Sequence, residues 1–429
     1  MQPSPVDLDR EPLELLPALA SFPGAALVHV PDDRTPVTLV GLTPASELRI
    51  DPGGDAVDPI AAITAFVREA PVADLPFPLR GGIVGYLAYE LGHWTVPHIT
   101  HRAPHEPLAL LRRYDPLWIF DHHQRRWSRL GSDVDDQLAT LRTLIPPFDD
   151  RAPLASAPLT PAWTADTYGV GLQRIQEHLA AGDIYQANLT LPYSAPFAGP
   201  AWALCQRLAR RHPVPYTAYF DGGNFQIVAN SPEMFLRVRD RAVETRPIKG
   251  TRPRGSDAAA DRTLIAELCA DEKERAEHLM IVDLERNDLG RVCDYGSVRV
   301  ETLMAVESHP SIHHLVSSVR GRLRDDVTLA DVLRATFPGG SITGAPKQRA
   351  MQILAALEPW PRGPYCGAFG VFDPGGDVEL GLAIRTAVVR DGQVRWHAGG
   401  GIVVDSVAER EWEEAWLKTT ALRRALAGA

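Results

Sequence analysis

The feature that most constrains the fold is a series of short β-type segments that follow one another at hairpin spacing. Three of them cover residues 217–220, 225–229 and 234–238, and Asp-Gly-Gly and Ser-Pro turns separate them. Strands joined by tight turns pair antiparallel, whereas parallel strands need long crossovers. We therefore predict an α+β fold in which helices pack outside antiparallel sheets.

Apolar periodicity predicts the remaining elements. The predicted helices cover 165–181, 258–284, 329–336, 346–357 and 408–427. Further β-type segments lie between the last two helices, at 367–372, 380–389 and 394–398.

Composition limits the class of protein. The 429 residues are 45% hydrophobic, which is enough for one large or two ordinary domains. A net charge of −10 without a block of Lys or Arg argues against a nucleic-acid partner. Neither a membrane-spanning apolar run nor a signal peptide is present, and the four cysteines are scattered. We expect a cytoplasmic protein.

A proline-rich stretch marks the clearest change of composition. Five prolines lie between Pro146 and Pro161, among Asp, Ala and Ser. Proline at this density opposes helix interiors and central strands. We predict an N-terminal region over 1–145, a linker over 146–164 and a catalytic domain over 165–429.

Lysine is scarce in this chain. It occurs only at Lys249, Lys273, Lys347 and Lys418, against forty arginines. A lysine amine can lose its proton and act as a nucleophile, which a guanidinium cannot. Lys249, in Arg-Pro-Ile-Lys-Gly-Thr, is the first candidate for such a role, and chance retention is the alternative.

Two acidic pairs occur at helical spacing. Glu274 and Glu277 are three residues apart on one predicted helix, and Glu411 and Glu414 repeat that spacing, with Lys418 on the same face. Carboxylates that converge from two helices suit Mg²⁺, and exposed helix surface is the alternative.

Glycine-rich strings suggest anion-binding turns. Gly399, Gly400 and Gly401 come just before a predicted helix, where their N–H groups could hold a carboxylate. Residues 339–347 form a second such string, although the order of a P-loop is absent. A simple tight turn is the alternative for both.

Several strings occur in the order found in one enzyme family. They cover residues 230–233, 247–251, 277–290, 314–317, 337–347 and 399–403. Through them 165–429 resembles the chorismate-utilising enzymes, the family of anthranilate synthase component I and aminodeoxychorismate synthase component I. Residues 1–145 resemble it more loosely. The resemblance implies a large antiparallel β-sandwich with helices outside.

Position 249 separates the two kinds of synthase, because anthranilate synthases carry alanine there and aminodeoxychorismate synthases carry lysine. The resemblance thus implies conversion of chorismate and ammonia to 4-amino-4-deoxychorismate, a precursor of p-aminobenzoate and folate, through a covalent lysine intermediate. Ser341, in place of a threonine, favours the same branch. Anthranilate synthase component I and a non-catalytic ligand-binding relative are the alternatives.

The resemblance also implies roles for matching residues. Glu233 would be the general acid, which needs a raised carboxyl pKa, and His314 would lie near the departing C4 group. Glu277 and Glu414 would bind Mg²⁺, supported by Glu274 and Glu411. The residues implied in substrate binding are Tyr365 and Arg385 at the enolpyruvyl carboxylate, Gly399, Gly400, Gly401, Lys418 and Ser341. Gln186 replaces the water-activating lysine of isochorismate and salicylate synthases, which favours amination.

The expected partners are chorismate, ammonia and a separate glutamine amidotransferase subunit, because no cysteine lies in a Gly-x-Cys-x-Gly string. Related N-terminal regions bind tryptophan, and whether this one does is left open.

Overall fold

The computed structural model describes residues 3–31, 35–53, 58–70, 75, 78, 82–99, 102–132, 134–143, 149–309 and 312–428. All structural statements below refer to these residues, so 146–148 of the predicted linker lie outside them. Among the described helices, none has both the length and the apolar character needed to cross a membrane.

The described residues form strands β1 to β22. In chain order these are Ser4–Val6, Ala26–Val30, Val37–Gly41, Pro44–Ile50, Ile83–Leu87, Ala109–Tyr114, Leu117–Asp121, Arg126–Leu130, Thr160–Pro161, Gln186–Pro196, Tyr216–Asp221, Phe225–Ser231, Met234–Arg239, Ala242–Arg246, Ile248–Pro253, Arg299–Ser308, Ile312–Arg322, Gly344–Ala345, Ala368–Phe372, Val378–Leu382, Thr386–Arg390 and Gln393–Ile402.

The same residues form helices α1 to α12. In chain order these are Leu16–Leu19, Pro59–Arg68, Gly92–Thr95, Asp135–Arg142, Ala165–Ala180, Ala201–Arg211, Ala258–Ala270, Glu272–Gly290, Leu329–Thr336, Lys347–Leu357, Ala408–Leu417 and Thr420–Ala427. Short 3-10 helices cover Pro12–Glu14, Tyr89–Leu91 and Gly340–Ile342.

The strands pair into two antiparallel sheets. The first has the order β1-β8-β7-β3-β2-β11-β12-β21-β22-β10-β18, with β9 also paired to β10. The second has the order β15-β17-β14-β13-β20-β19-β5-β6-β4, with β16 also paired to β17. The predicted antiparallel α+β fold is confirmed.

The sheets pack face to face, and helices cover their outer faces. Between the sheets, Phe220 and Ile227 of the first meet Tyr86 and Phe369 of the second. On the far side of the first sheet, α5, α6, α10, α11 and α12 contribute to a second apolar cluster, and α2, α8 and α9 do the same for the second sheet. The four layers are therefore helix, sheet, sheet and helix.

Strands from both sides of the proline-rich stretch share both sheets. Strand β2 pairs with β11 in the first sheet, and β5 pairs with β19 in the second. The division into 1–145, 146–164 and 165–429 stays a prediction about the sequence, since the two outer regions contribute to one sandwich.

Two helices that the sequence predicts as continuous are interrupted. The helix predicted over 258–284 is two helices, α7 and α8, because Asp271 leaves helical geometry and caps α8. The helix predicted over 408–427 is α11 and α12, with Thr419 between them. The predicted strand over 380–389 is also two strands, since residues 383–385 separate β20 from β21.

Candidate active site

Lys249 lies on the irregular edge strand β15. The register with β17 shifts between Lys249 and Thr251, and Gly250 between them has φ +74. A Cβ at Gly250 would lie 2.9 Å from the Cδ1 atom of Leu268. Glycine thus allows both the backbone turn and the approach of α7. Bulges of this kind redirect side chains, and here the bulge directly follows Lys249.

Helix α8 carries the first acidic pair beside this strand. Asp271 caps the helix by accepting a hydrogen bond from the backbone N–H of Glu274 at 3.1 Å. Burial raises the pKa of Glu274, and repulsion from Glu414 adds to the rise. Burial also raises the pKa of Glu277, whereas the charge of Lys249 opposes it. Lys249 therefore lies near both carboxylates of this pair.

The second acidic pair approaches from α11. Lys273 Nζ lies 3.4 Å from Glu411 and 3.8 Å from Glu277, so it joins the two helices. The Ser406 hydroxyl donates to Glu411 at 2.7 Å. The structure thus brings together both acidic pairs that the sequence singled out. No three His, Cys, Asp or Glu side chains among the described residues form a metal-ligand cluster.

The three glycines are in a strand and not in a turn, so that prediction is wrong. Gly399, Gly400 and Gly401 belong to β22 and pair with β10. A Cβ at Gly400 would lie 3.2 Å from Glu411 Oε2 and 3.7 Å from Glu414 Oε1. Glycine is used here for close approach of acidic side chains to the strand.

Lys418 ends α11 and supports the second pair. Its ammonium group lies 2.7 Å from Glu414 and donates to the backbone carbonyl of Gly399 at 2.7 Å. Lys418 is the main reason why the pKa of Glu414 is lowered. Glu414 and Lys418 thus form an i,i+4 ion pair, and Lys418 also anchors strand β22 through Gly399.

Glu233 is buried and lies close enough to Lys249 for that charge to affect its pKa. The Ser341 hydroxyl donates to its Oε1 atom at 2.7 Å. Burial raises the pKa of Glu233 to about 7, against the opposing effects of Ser341 and Lys249. This carboxyl can therefore hold a proton near neutral pH, as a general acid requires.

His314 is buried on β17. Its Nδ1 lies 2.9 Å from the Thr251 hydroxyl, and its Nε2 makes no hydrogen bond. Burial lowers the pKa of His314 to about 3, with Arg385 adding to the effect. The imidazole is therefore neutral, with one ring nitrogen available.

Arg385 lies close enough to Glu233 and His314 for its charge to lower the pKa of both groups. It lies in the break between β20 and β21, with φ +49. Its side chain has no hydrogen bond or ion pair with the described residues. Burial lowers the pKa of this guanidinium, and Glu233 opposes the shift. A partially buried guanidinium without a partner is suited to an anionic ligand.

Tyr365 and Gln186 are both buried. Tyr365 is buried and stacks on His397 with ring centroids 5.3 Å apart. The amide of Gln186 is buried, and neither its nitrogen nor its oxygen has a hydrogen-bond partner. A Cβ at Gly401 would lie 1.7 Å from that amide nitrogen. Glycine at 401 therefore gives the Gln186 side chain its position.

Two features were not assigned from the sequence. His278 follows Glu277 and is fully buried against Ser317, a contact across elements that the sequence pattern did not predict. Lys347 forms an ion pair with Asp288 at 2.6 Å and donates to the carbonyl of Thr336 at 2.9 Å. Lys347 therefore holds the loop before α10 against α8.

A separate cavity of about 520 Å³ lies between N-terminal strands and α6. Its lining includes Leu27, His29, Thr38, His122 and Thr217. The tryptophan question raised by the sequence stays open.

A profile described as chorismate binding enzyme matches residues 24–424. Anthranilate synthase component 1 of Pseudomonas putida is 39% identical over 397 residues, which are 87% of this chain and 80% of that protein. Aminodeoxychorismate synthase component 1 of Salmonella typhimurium is 40% identical over 355 residues, 81% of this chain and 77% of that protein.

Solved structures agree with these sequence comparisons. The crystal structure of anthranilate synthase component I from Streptococcus pneumoniae superposes with a TM-score of 0.78 at 29% identity, covering 90% of this chain and 92% of that chain.

Proposed function

The chain belongs to the chorismate-binding enzymes, and within that family we propose that it is an aminodeoxychorismate synthase component I. It would convert chorismate and ammonia to 4-amino-4-deoxychorismate and water. The observation that carries the proposal is the Lys249 amine beside Glu277 and the buried acid Glu233. Alanine at this position would leave no nucleophile there.

The reaction is a pair of substitutions. The Lys249 amine forms a bond to ring carbon C2 through its nitrogen lone pair, the ring double bond shifts, and the C4 hydroxyl takes a proton from Glu233 and departs as water. Ammonia then forms a bond to C4, and the C2–nitrogen bond breaks to release Lys249. Each step exchanges one nucleophile for one leaving group, so no oxidant or reductant is needed.

Glu233 would donate the proton to the departing hydroxyl. Its burial and raised pKa support that role, since the protonated form persists near pH 7. Ser341 holds the carboxyl in place. His314 would position the departing group through its free Nε2 atom.

The carboxylates of chorismate need cationic and N–H partners. Arg385 would bind the enolpyruvyl carboxylate with its unpaired guanidinium, and Tyr365 would complete that subsite. Backbone N–H groups of Gly399 to Gly401 and the ammonium group of Lys418 would contribute at the second carboxylate. Gln186 has no basic atom to activate water, which favours ammonia as the nucleophile.

The chemistry of the acidic pairs suits Mg²⁺, although no three of these carboxylates form a ready-made ligand cluster among the described residues. They are hard oxygen donors, and the mutual repulsion of Glu274 and Glu414 would be relieved by a divalent cation. We propose Glu277 and Glu414 as principal ligands, with Glu274 and Glu411 in support. When bound, the ion would grip the ring carboxylate and withdraw electron density from it.

Relatives of comparable identity carry the names of both synthases, so anthranilate synthase component I is the second candidate. Product regiochemistry decides between them. The purified chain is incubated with chorismate, Mg²⁺ and ammonium, and the products are separated by chromatography and identified by their masses. We expect 4-amino-4-deoxychorismate; anthranilate as the sole product would exclude the assignment, and no turnover would favour a non-catalytic relative.

Lys249 is tested by intact-protein mass spectrometry during turnover. Wild type should form a chorismate-derived adduct that peptide mapping places at Lys249. Lys249→Ala and Lys249→Arg should both lack it, and Lys249→Arg keeps the positive charge beside the carboxylates. An adduct on another residue would refute the nucleophile.

The names of these relatives include "component 1", which supports a second component here as well. We propose that a separate glutaminase subunit supplies the ammonia. Glutamine should then support turnover only when that subunit is added, whereas ammonium should support the isolated chain. Glutamine-dependent turnover by the isolated chain would argue against this.

A further inference from the structure

His278 is fully buried and lies directly after Glu277 on α8. Its Nε2 atom is 2.7 Å from the Ser317 hydroxyl of β17. The same hydroxyl oxygen accepts a hydrogen bond from the backbone N–H of Met304 at 2.9 Å. His278 thus connects α8, which carries the first acidic pair, to the strand that pairs with β15.

The hydroxyl of Ser317 can bond to both neighbours at once, because its oxygen has two lone pairs and one proton. The Nδ1 atom of His278 is buried and makes no hydrogen bond with the described residues. Helix α8 packs against both β15 and β17, and the backbone N–H of Ser317 donates to the carbonyl of Pro247 at 3.2 Å. The imidazole therefore lies where α8 meets the pair of strands that carries Lys249.

Both strands that meet here have irregular backbone. Gly250, after Lys249, has φ +74, and Met304, on the strand beyond β17, has φ +53. Register shifts occur at both positions. Regular sheet pairing therefore does not fix the direction of Lys249, and side-chain contacts must supply part of that constraint.

We propose that His278 is a positioning residue for Lys249, acting with Ser317 to hold the bulged strand against α8. The inference rests on the proposed role of Lys249, and it adds a residue that has no contact with the reacting atoms. Through its hydrogen bond to Ser317, the imidazole would set the separation between β15 and the helix that carries Glu274 and Glu277.

The scarcity of lysine allows a test without turnover. Reductive methylation of the folded chain, followed by peptide mass spectrometry, reports the reactivity of each of the four lysines. His278→Phe and Ser317→Ala should change the labelling rate of Lys249 by at least about threefold, since small displacements in a packed site are felt strongly. Lys347 should keep its rate. Unchanged Lys249 labelling in both variants would overturn the inference.

Kinetics provide the second readout. We expect His278→Phe to lower kcat by about 10- to 100-fold with little change in KM, because a misaligned nucleophile affects chemistry more than binding. His278→Gln, whose amide can replace Nε2 toward Ser317, should recover most of the loss. If His278→Gln is as impaired as His278→Phe, the Ser317 contact is not the cause.

His29 provides a matched control. It too is a histidine beside a hydroxyl, partly buried and with Nδ1 3.1 Å from Thr38, but it lies on β2 of the first sheet. His29→Phe should leave Lys249 labelling and kcat unchanged, and an equal effect there would mean general destabilisation. If the enzyme does not form 4-amino-4-deoxychorismate but the variants still change the labelling of Lys249, the proposed function is refuted and the positioning role stands.

Discussion

Lys249 differs from the other three lysines in its contacts. Lys273, Lys347 and Lys418 each lie within 4 Å of a carboxylate, whereas Lys249 forms no ion pair with the described residues. An unpaired amine among several carboxylates can reach a substrate without first breaking a salt bridge. Scarcity of lysine in the sequence therefore pointed to four sites, and the structure separates the unpaired amine of Lys249 from three lysines that are held in ion pairs.

Glu233→Gln tests the general acid. The amide keeps an oxygen for Ser341 but cannot donate the proton, so kcat should fall by about 10²- to 10⁴-fold. In wild type, the active form is the protonated one, so activity should decline as the pH rises through about 7. The variant should lack that decline in its pH–kcat profile.

Glu285→Gln is the control for that experiment. Glu285 is also buried, and burial raises its pKa to about 8, with the charge of nearby Glu233 adding to the rise, but its carboxyl group accepts a hydrogen bond from Thr245. It should keep the alkaline decline of wild type. A Glu233→Gln enzyme within twofold of wild type would contradict the acid role.

Residues of the site were predictable from the sequence to different degrees. Glu274 and Glu277 have helical spacing, and the structure brings them to one face. The contact between His278 and Ser317 joins residues 39 positions apart, so no local pattern contains it. The unpaired guanidinium of Arg385 lies at a break between β20 and β21, a region that the sequence predicts as a single strand.

At the scale of elements, the bulge in β15 is the feature closest to the chemistry. Gly250→Ala would place a methyl group 2.9 Å from Leu268 at a residue with φ +74. We expect a loss of about 1–3 kcal/mol in the free energy of unfolding, together with a fall in kcat because Lys249 and Thr251 flank the bulge. Urea unfolding and steady-state kinetics measure the two effects.

Gly223 is the matched control for the bulge. It has φ +87 in the turn between β11 and β12, and a Cβ there would have no neighbour within 4 Å. Gly223→Ala should therefore lose stability through backbone strain and keep its kcat. A Gly250→Ala enzyme with wild-type kcat would show that the bulge does not aim Lys249.

The predicted boundaries of helices and strands are wrong where the local sequence signals are weak or misleading. The helix predicted over 329–336 has those bounds in the structure, where Thr328 and Asp331 form a capping box at its N-terminus. Asp271, with Glu274 three residues later, carried a similar signal inside the helix predicted over 258–284. The run of three glycines at 399–401 predicted a turn. In the structure, their lack of side chains instead lets neighbouring groups lie close to strand β22.

At the scale of the whole molecule, buried ionisable groups make stability depend on pH. Burial raises the pKa of Glu90 and Glu233 to about 7 and that of Glu285 to about 8. A carboxyl with a higher pKa in the folded than in the unfolded state adds stability at low pH, and this is lost as the pH rises through the folded value.

Buried histidines act in the opposite pH range. Burial lowers the pKa of His29 and His278 to about 4 and that of His314 and His397 to about 3. Their contribution is complete above the ordinary value of 6.5 and is lost only as the pH falls below it. Above pH 7, the buried carboxyl groups therefore determine how the free energy of unfolding changes with pH.

The free energy of unfolding should fall by on the order of 2 kcal/mol between pH 7 and pH 8. Urea unfolding at the two values measures the change, and Glu90→Gln should reduce it. Constant or rising stability over this interval would contradict the assignment of neutral carboxyls to the fold.

The pairing of β2 with β11 and of β5 with β19 has a consequence for the order of synthesis. A chain that emerges from the ribosome carries β2 with an open edge until residue 216 appears, and β5 with an open edge until residue 368 appears. Open strand edges are templates for aggregation. A nascent chain that already contains Lys249 and Glu277 would still lack β19 and Glu414, so the site and the sandwich both stay incomplete until these segments have been synthesised.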